Sequence, residues 1–198
     1  MSSADTRNNL FPVFLKVDKL RVLIVGGGDA GSEKLRFLLK SSPLAKVTLV
    51  APQISDEIDI LSVQYPNVAL VHRGFLAEDL EGKDVVIVAT ENPKLNRQIR
   101  EQAKNKKILV NVADTPELCD FYLGSIVTKG DLKIAISTNG KSPTFAKRFR
   151  EFLEETLPDD LQQVIDNLSQ IRGKLKGDFA QKVKALNELT SNLVSKHG

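Results

Sequence analysis

The chain has 198 residues, 28 Lys+Arg against 25 Asp+Glu for a formal charge of +3, and 41% hydrophobic residues. These are the proportions of a globular protein with a core; they exclude a disordered chain, and so small a charge gives no reason to expect nucleic acid as a partner. A single cysteine, Cys119, excludes an intramolecular disulfide and an intrachain thiolate metal cluster, and the longest apolar runs, such as residues 85–89, fall far short of the roughly 20 that span a bilayer.

The polar N-terminus lacks the apolar stretch of a secretory signal, so a cytoplasmic protein without membrane association is expected. From there to residue 112, strand and helix signals alternate. Residues 21–25 form a β-branched strand, 32–40 a helix with Leu35, Leu38 and Leu39 at helical spacing, and 46–51 a second strand. Strands follow at 68–72 and 84–89, a helix at 94–106 and a fifth strand at 107–112. Short apolar strands separated by helices predict βαβ units and a parallel sheet covered on both faces.

After residue 112 the rhythm changes. Residues 125–128 and 132–137 around Lys129-Gly130-Asp131 predict a β-hairpin. Ser142-Pro143 is a helix start, with serine as N-cap and proline at the first helical position, and that helix runs to Thr156 before Pro158. Two more amphipathic helices, 159–171 and 178–195, are split by Gly173 and Gly177. The expected fold is α/β: a Rossmann-like doubly wound parallel sheet, then a small α+β dimerisation region, then a helical tail. The expected boundaries are 1–115, 116–150 and 151–198.

Directly after the first strand comes Gly26-Gly27-Gly28-Asp29-Ala30-Gly31, a G-x-G-x-x-G pattern at Gly26, Gly28 and Gly31. Gly26 permits the tight turn, Gly28 lets the backbone approach a pyrophosphate, and Gly31 lets the helix close on the strand. The helix start at Asp29 and Ala30 then offers free N–H groups to the phosphates. The second strand ends in Ala51-Pro52-Gln53, with neither the acid that binds the ribose of NAD nor the arginine expected for NADP. The ribose is then left to backbone groups of this segment or to Gln53, and the motif by itself does not choose between the two cofactors.

In such sheets ligands bind beyond the carboxyl ends of the strands. Thr90 follows the fourth strand, and Asn111-Val112-Ala113-Asp114 ends the fifth. Asp114 can take a proton from a substrate while hydride leaves to a nicotinamide. On local sequence alone the preferred reading is different: Asp114 or Thr115 caps a short helix beginning at Pro116.

The sequence resembles the precorrin-2 dehydrogenase / sirohydrochlorin ferrochelatase family, which includes the N-terminal module of siroheme synthase. The resemblance spans about residues 10–158 and rests on several segments: Phe11-Pro12-Val13-Phe14-Leu15, the glycine loop with Glu33-Lys34, Ala89-Thr90 with Asn96-Arg97, Asn111 to Asp114, Phe121 with Ser125-Ile126-Val127, and Ser137 to Pro143. It implies oxidation of precorrin-2 to sirohydrochlorin with NAD, followed in many members by insertion of ferrous iron to give siroheme. It places the family's essential aspartate at Asp114, as general base and as an aid to metal insertion. It also implies a homodimer in which the hairpin region exchanges between subunits. Gly31 stands where the family usually has alanine, and Thr138 where some siroheme synthases have a phosphorylatable serine. No methyltransferase segment follows the tail in this sequence, so uroporphyrinogen methylation is expected from another polypeptide.

A tetrapyrrole fringed with carboxylates calls for a basic site. Lys141, Lys147, Arg148 and Arg150 precede Glu151, Glu154 and Glu155, an order opposite to the preference of the helix dipole, which suggests carboxylate binding. The plainer alternative is a solvated face with Lys147–Glu151 and Arg150–Glu154 pairs. Asn111, Thr138, Lys141 and Arg148 are the substrate-binding candidates. The basic residues of the helix at 94–106 read as a solvated outer face, and His72 and His197 lack partners at ligand spacing. Cys119 reads as a small buried hydrophobe. No fixed metal site is legible; ferrous iron or cobalt would enter as a substrate. Two other functions fit the residues: a sirohydrochlorin chelatase without redox use of its nucleotide, and a non-enzymatic dinucleotide sensor.

Overall fold

The computed structural model describes residues 8–175 and 178–191. They form two compact units, one running to Gly124 with Ser137–Pro143 added, the other comprising Ser125–Ile136 and the chain from Thr144 onward.

The first unit is built on a five-stranded parallel sheet in the order β3-β2-β1-β4-β5. Its strands are β1 (Arg21–Val25), β2 (Lys46–Ala51), β3 (Val68–His72), β4 (Val85–Val88) and β5 (Leu109–Val112). Alternation along β1 supplies both faces. Val22 and Ile24 join a layer with Leu49, with Leu35 and Leu39 of α1 (Asp29–Ser41) and with Ile58 of α2 (Asp56–Gln64). Leu23 and Val25 join Val86, Val88, and Ile99 and Ala103 of α3 (Pro93–Asn105) on the other side. A strand buried on both faces must be apolar throughout, which is why these runs are legible as strands. The expected doubly wound sheet is the one observed.

Three details differ from expectation. Helix α1 begins at Asp29, so the end of the glycine loop is already helical. Helix α2 was not anticipated; Ile58 is its one buried residue, and Ile60 and Val63 face outward. Strand β5 begins at Leu109 because Lys107 adopts a left-handed φ of 58° just past α3, closing that helix in the way a glycine commonly does.

In the second unit, β6 (Ser125–Lys129) pairs antiparallel with β7 (Leu132–Ile136) across a two-residue turn at Gly130-Asp131. Gly130 has φ +57°, and a Cβ there would meet Gln162 Oε1 at 2.0 Å. Gln162, on α5 (Leu161–Lys174), accepts from the Asp131 N–H at 2.7 Å, and Lys129 pairs with Asp159 at 2.5 Å. The Lys129 ammonium holds the Asp159 carboxyl below its ordinary range. Val127, Ile136 and Ala146 form a small core with Ile134, Leu153 and Leu157; Ala146 and Leu153 come from α4 (Pro143–Thr156) and Leu157 directly follows it. Neither α5 nor α6 (Phe179–Leu189) contributes a buried residue. Helix α5 continues through Gly173, and α6 ends at Leu189, short of the expected run to residue 195; the expected break at Gly177 lies outside the described residues, as does His197. No helix among the described residues is long and apolar enough to cross a membrane.

Candidate active site

A parallel sheet puts the ends of β1, β2, β4 and β5 on one edge, and the order reverses between β1 and β4, the place where such sheets take their ligands. The glycine loop sits at that reversal. Gly26 has φ +124°, and a Cβ on it would lie 2.1 Å from the Ala89 carbonyl oxygen, so the loop rests directly on the end of β4. A Cβ on Gly31 would lie 2.1 Å from the Gly26 carbonyl oxygen, and one on Gly27 would lie 2.2 Å from that of Gln53. At Gly28 the space is open, with nothing within 4 Å. Two of the motif glycines are therefore required by contact within the protein, whereas Gly28 leaves backbone bare beside the start of α1.

That start has no side-chain cap, so the leading amides of Asp29, Ala30 and Gly31 are available to an anion. The β2–α2 segment is pinned alongside. The Gly26 N–H donates to Val50 O at 3.0 Å and the Ser55 N–H to Gly27 O at 2.9 Å. Ala51 is buried, while Pro52 and Gln53 are exposed next to the loop. An open glycine, a bare helix start and an adjoining strand end fit the pyrophosphate and ribose of a dinucleotide. When bound, that cofactor supplies the hydride acceptor.

On the other side of the reversal, Thr90 Oγ1 donates to Asn96 Oδ1 at 2.5 Å and accepts from the Asn92 N–H at 3.2 Å. Asn92 caps α3, accepting from the N–H groups of Lys94 and Leu95. Sequence reasoning singled out Thr90 but not this knot, although Asn92 directly before Pro93 is an N-cap signature. The Ala113 N–H reaches back to Val88 O at 2.8 Å, tying the end of β5 to the end of β4.

Asp114 follows immediately. Its φ is +54°, in a turn closed by the Thr115 N–H on Val112 O at 3.3 Å. Its carboxylate is exposed and has no hydrogen-bond partner among the described residues. The capping alternative fails: neither Asp114 nor Thr115 caps the short turn at Pro116–Leu118 with its side chain, and Thr115 Oγ1 donates to Ala113 O at 3.1 Å. A free carboxylate in left-handed backbone, past a strand end on the ligand-binding edge, can accept a proton. Asn111, on β5 three residues earlier, is buried and donates from Nδ2 to Phe121 O at 2.8 Å, so its amide holds the following loop.

Cys119 packs half-buried against the core beside Leu118, in keeping with the expected small hydrophobe, and does more than pack. It is hydrogen-bonded through sulfur to the β5 backbone. The basic face of α3 is not simply solvated, because Arg100 forms a bidentate pair with Asp120 at 2.9 and 2.7 Å and Lys106 pairs with Glu81. No group of His, Cys, Asp and Glu residues able to hold a metal ion occurs among the described residues.

Thr138 belongs to the first unit, in a turn through left-handed Asn139 and Gly140; its Oγ1 accepts from the Ser142 N–H at 3.1 Å. Lys141 is exposed in the same turn, with no ion-pair partner among the described residues. Arg148 lies in the second unit, 77% exposed at the side chain and 3.0 Å from Glu151. The expected Arg150–Glu154 pair is present at 2.6 Å, whereas Glu151 pairs with Arg148 and Arg150 instead of Lys147.

The profile of a family described as "Putative NAD(P)-binding" matches residues 13–125, and that of "Sirohaem biosynthesis protein central" matches residues 129–156. The siroheme synthase of Psychrobacter cryohalolentis is 38% identical over 90% of this chain and 33% of its own length; that of Pseudoalteromonas atlantica is 35% identical over 94% and 37%. The chain thus spans about a third of the length of these curated relatives. A solved structure, SirC, a precorrin-2 dehydrogenase, aligns with a TM-score of 0.75 and 26% identity over 91% of this chain and 89% of that one. An NAD(P)-binding body, a sirohaem-specific segment directly behind it and a solved structure that follows nearly the whole chain converge on one assignment: the chain belongs to the precorrin-2 dehydrogenase / sirohydrochlorin ferrochelatase family.

Proposed function

We propose that this chain oxidises precorrin-2 to sirohydrochlorin with NAD, as a cytoplasmic step of siroheme synthesis. The observation that carries this is the Asp114 carboxylate, free and exposed on the same sheet edge as the glycine loop. Oxidation removes two electrons and two protons from the tetrapyrrole. One C–H bond breaks with its electron pair, which passes as hydride to NAD, and the Asp114 carboxylate takes the second proton before releasing it to solvent. Gly26 and Gly31 shape the loop, Gly28, Asp29 and Ala30 receive the pyrophosphate, Ala51, Pro52 and Gln53 border the ribose, and Thr90 borders the nicotinamide side. Asn111 supports the Asp114 turn.

Thr138, Lys141 and Arg148 contribute to binding the carboxylate fringe of the substrate, a role consistent with their polar or cationic exposed groups. The division at 1–115, 116–150 and 151–198 corresponds in this proposal to cofactor binding, dimerisation and a helical tail, with the homodimer as the working form. Ferrous iron or cobalt enters as a second substrate, Asp114 taking the protons displaced from the macrocycle.

An anaerobic spectrophotometric assay with precorrin-2 and NAD tests this. Appearance of the sirohydrochlorin spectrum only with NAD establishes the dehydrogenase. A further shift on adding ferrous iron or cobalt, faster than without enzyme, establishes the chelatase. If NAD binds and the tetrapyrrole never changes, the dehydrogenase reading falls; sirohydrochlorin supplied directly with metal then separates a chelatase from a sensor.

A further inference from the structure

Asp114 occupies the third position of a four-residue turn, Val112-Ala113-Asp114-Thr115, with φ +54°. A positive φ at that position is normally filled by glycine or asparagine. Aspartate adopts this conformation at a modest cost, so the contacts that brace the turn set where its carboxylate sits. Within the turn the backbone contributes one bond, the Thr115 N–H to Val112 O at 3.3 Å, which is long.

The Ala113 N–H to Val88 O at 2.8 Å and Thr115 Oγ1 to Ala113 O at 3.1 Å hold the middle of the turn, and the thiol of Cys119 holds its two ends. Its sulfur accepts from the Val112 N–H at 3.2 Å and lies 3.5 Å from Asn111 Nδ2. Its hydrogen is within reach of Val112 O at 3.2 Å and Thr115 O at 3.4 Å. One side chain therefore touches the first and last residues of the turn that carries Asp114. Cys119 is itself anchored on both sides. Its own N–H donates to Pro116 O at 3.1 Å, and the next residue, Asp120, exchanges bonds with Val110 and is gripped by Arg100. Burial raises the thiol pKa, which keeps the hydrogen that the donor role needs.

We propose that Cys119 is a positioning residue for Asp114, its thiol bridging both ends of the Val112–Thr115 turn and so holding the carboxylate in place for proton transfer. The proposal rests on Asp114 acting as the base.

The test compares the full-length wild type with Cys119→Ala and Cys119→Ser, measuring kcat, KM for precorrin-2, NAD affinity and native-state hydrogen exchange at Val112 and Thr115. Misplacing a reacting group by about 1 Å costs up to about a hundredfold in rate, so Cys119→Ala is expected to lower kcat about ten- to a hundredfold. KM and NAD affinity are expected to stay within about twofold, because no binding contact is removed. Exchange at Val112 and Thr115 should speed up by at least about tenfold while the central strands stay protected. Cys119→Ser, which keeps a donor and an acceptor in place, should recover most of the lost turnover.

Wild-type kcat in Cys119→Ala, unchanged exchange at the two amides, or a serine variant no better than alanine would each overturn the proposal. So would a loss of kcat matched by an equal loss of NAD affinity. If Cys119→Ala does not fold, Cys119→Ser carries the test: a kcat above about a third of wild type supports the bridge, and a lower one overturns it. Asp114→Ala, run alongside, separates the two layers. Full turnover in that variant removes the base assignment itself; its inactivity together with a normal Cys119→Ala removes only the positioning role.

Discussion

A side chain on Gly31 would sit 2.1 Å from the carbonyl oxygen of Gly26, so the first turn of α1 and the end of β1 are in direct backbone contact. The same motif contains Gly28, around which nothing lies within 4 Å. One stretch of sequence thus answers two demands, one from the protein's own packing and one from outside it.

Gly26→Ala and Gly31→Ala are expected to destabilise the chain by roughly 3 kcal/mol each, because a carbonyl oxygen must give way, and Gly26 adds the cost of positive φ. Gly28→Ala is expected to melt with the wild type and to bind NAD at least about tenfold more weakly, from loss of close backbone approach. Thermal melts and calorimetric titration of the three variants check the split. A Gly28→Ala protein that unfolds as readily as the other two would refute it.

At Asp114, activity and backbone comfort pull in opposite directions. Asp114→Gly should hold or raise the melting temperature, since the strain of a non-glycine residue at φ +54° is of order 1 kcal/mol. Turnover should fall about 10²–10⁴-fold in both Asp114→Gly and Asp114→Ala, with NAD binding retained. Parallel melts and steady-state assays read both effects, and undiminished turnover in either variant would withdraw the general-base role.

The parallel sheet was legible because its strands are short, mostly apolar runs alternating with helices, as in the wholly buried Val85–Val88; the order of the strands was not read from the sequence. Helix α2 was not legible, because burying Ile58 alone leaves no helical stripe to detect. The glycine loop and Asp114 stand out as residue types at the right place in a βαβ chain. What joins them does not. The pairing of Thr90 with Asn96, and of Cys119 with Val112, depends on loops meeting in space, and no local periodicity records that. The Arg148–Glu151 pair likewise depended on which of two neighbouring cations leans toward the acid.

Asp79 supplies an acid-sensitive fastening in the first unit. It receives Arg73 at 2.8 and 2.6 Å and the Leu76 N–H at 2.8 Å, and the hydrogen bond from Arg73 is the chief reason its carboxyl titrates below the ordinary range. A depressed folded pKa stabilises the protein above the unfolded value, and that contribution is lost as pH falls through the folded one. Asp79→Asn should therefore melt lower than wild type near neutrality, with the gap closing in acid below the ordinary carboxylate range. Because the Arg73 side is exposed, the gap should also shrink with salt. A gap independent of pH would point to packing instead.

Helix α4 presents three exposed rings, with Phe145 and Phe149 stacked at 5.8 Å and Phe149 and Phe152 at 6.2 Å. Such a stripe is costly to leave in water, and the proposed homodimer gives it a use. The chain is expected to sediment as a dimer, and Phe149→Glu to shift it toward monomer at micromolar concentration. A monomeric wild type would count against the dimer; an unshifted variant would place the interface elsewhere.

The loop at Cys119–Asp120 has a consequence for solubility. Strand β5 is an outer strand of the sheet, and such strands invite foreign strands to add on. Here the N–H of Val110 is taken by the Asp120 carboxylate and that of Val112 by the Cys119 sulfur, while Val110 O accepts from the Asp120 N–H at 2.7 Å. The sheet stops at β5 because its outward hydrogen-bonding groups are already spent on a loop that cannot itself propagate the ladder, so a chain that has folded this far offers no template there for aggregation.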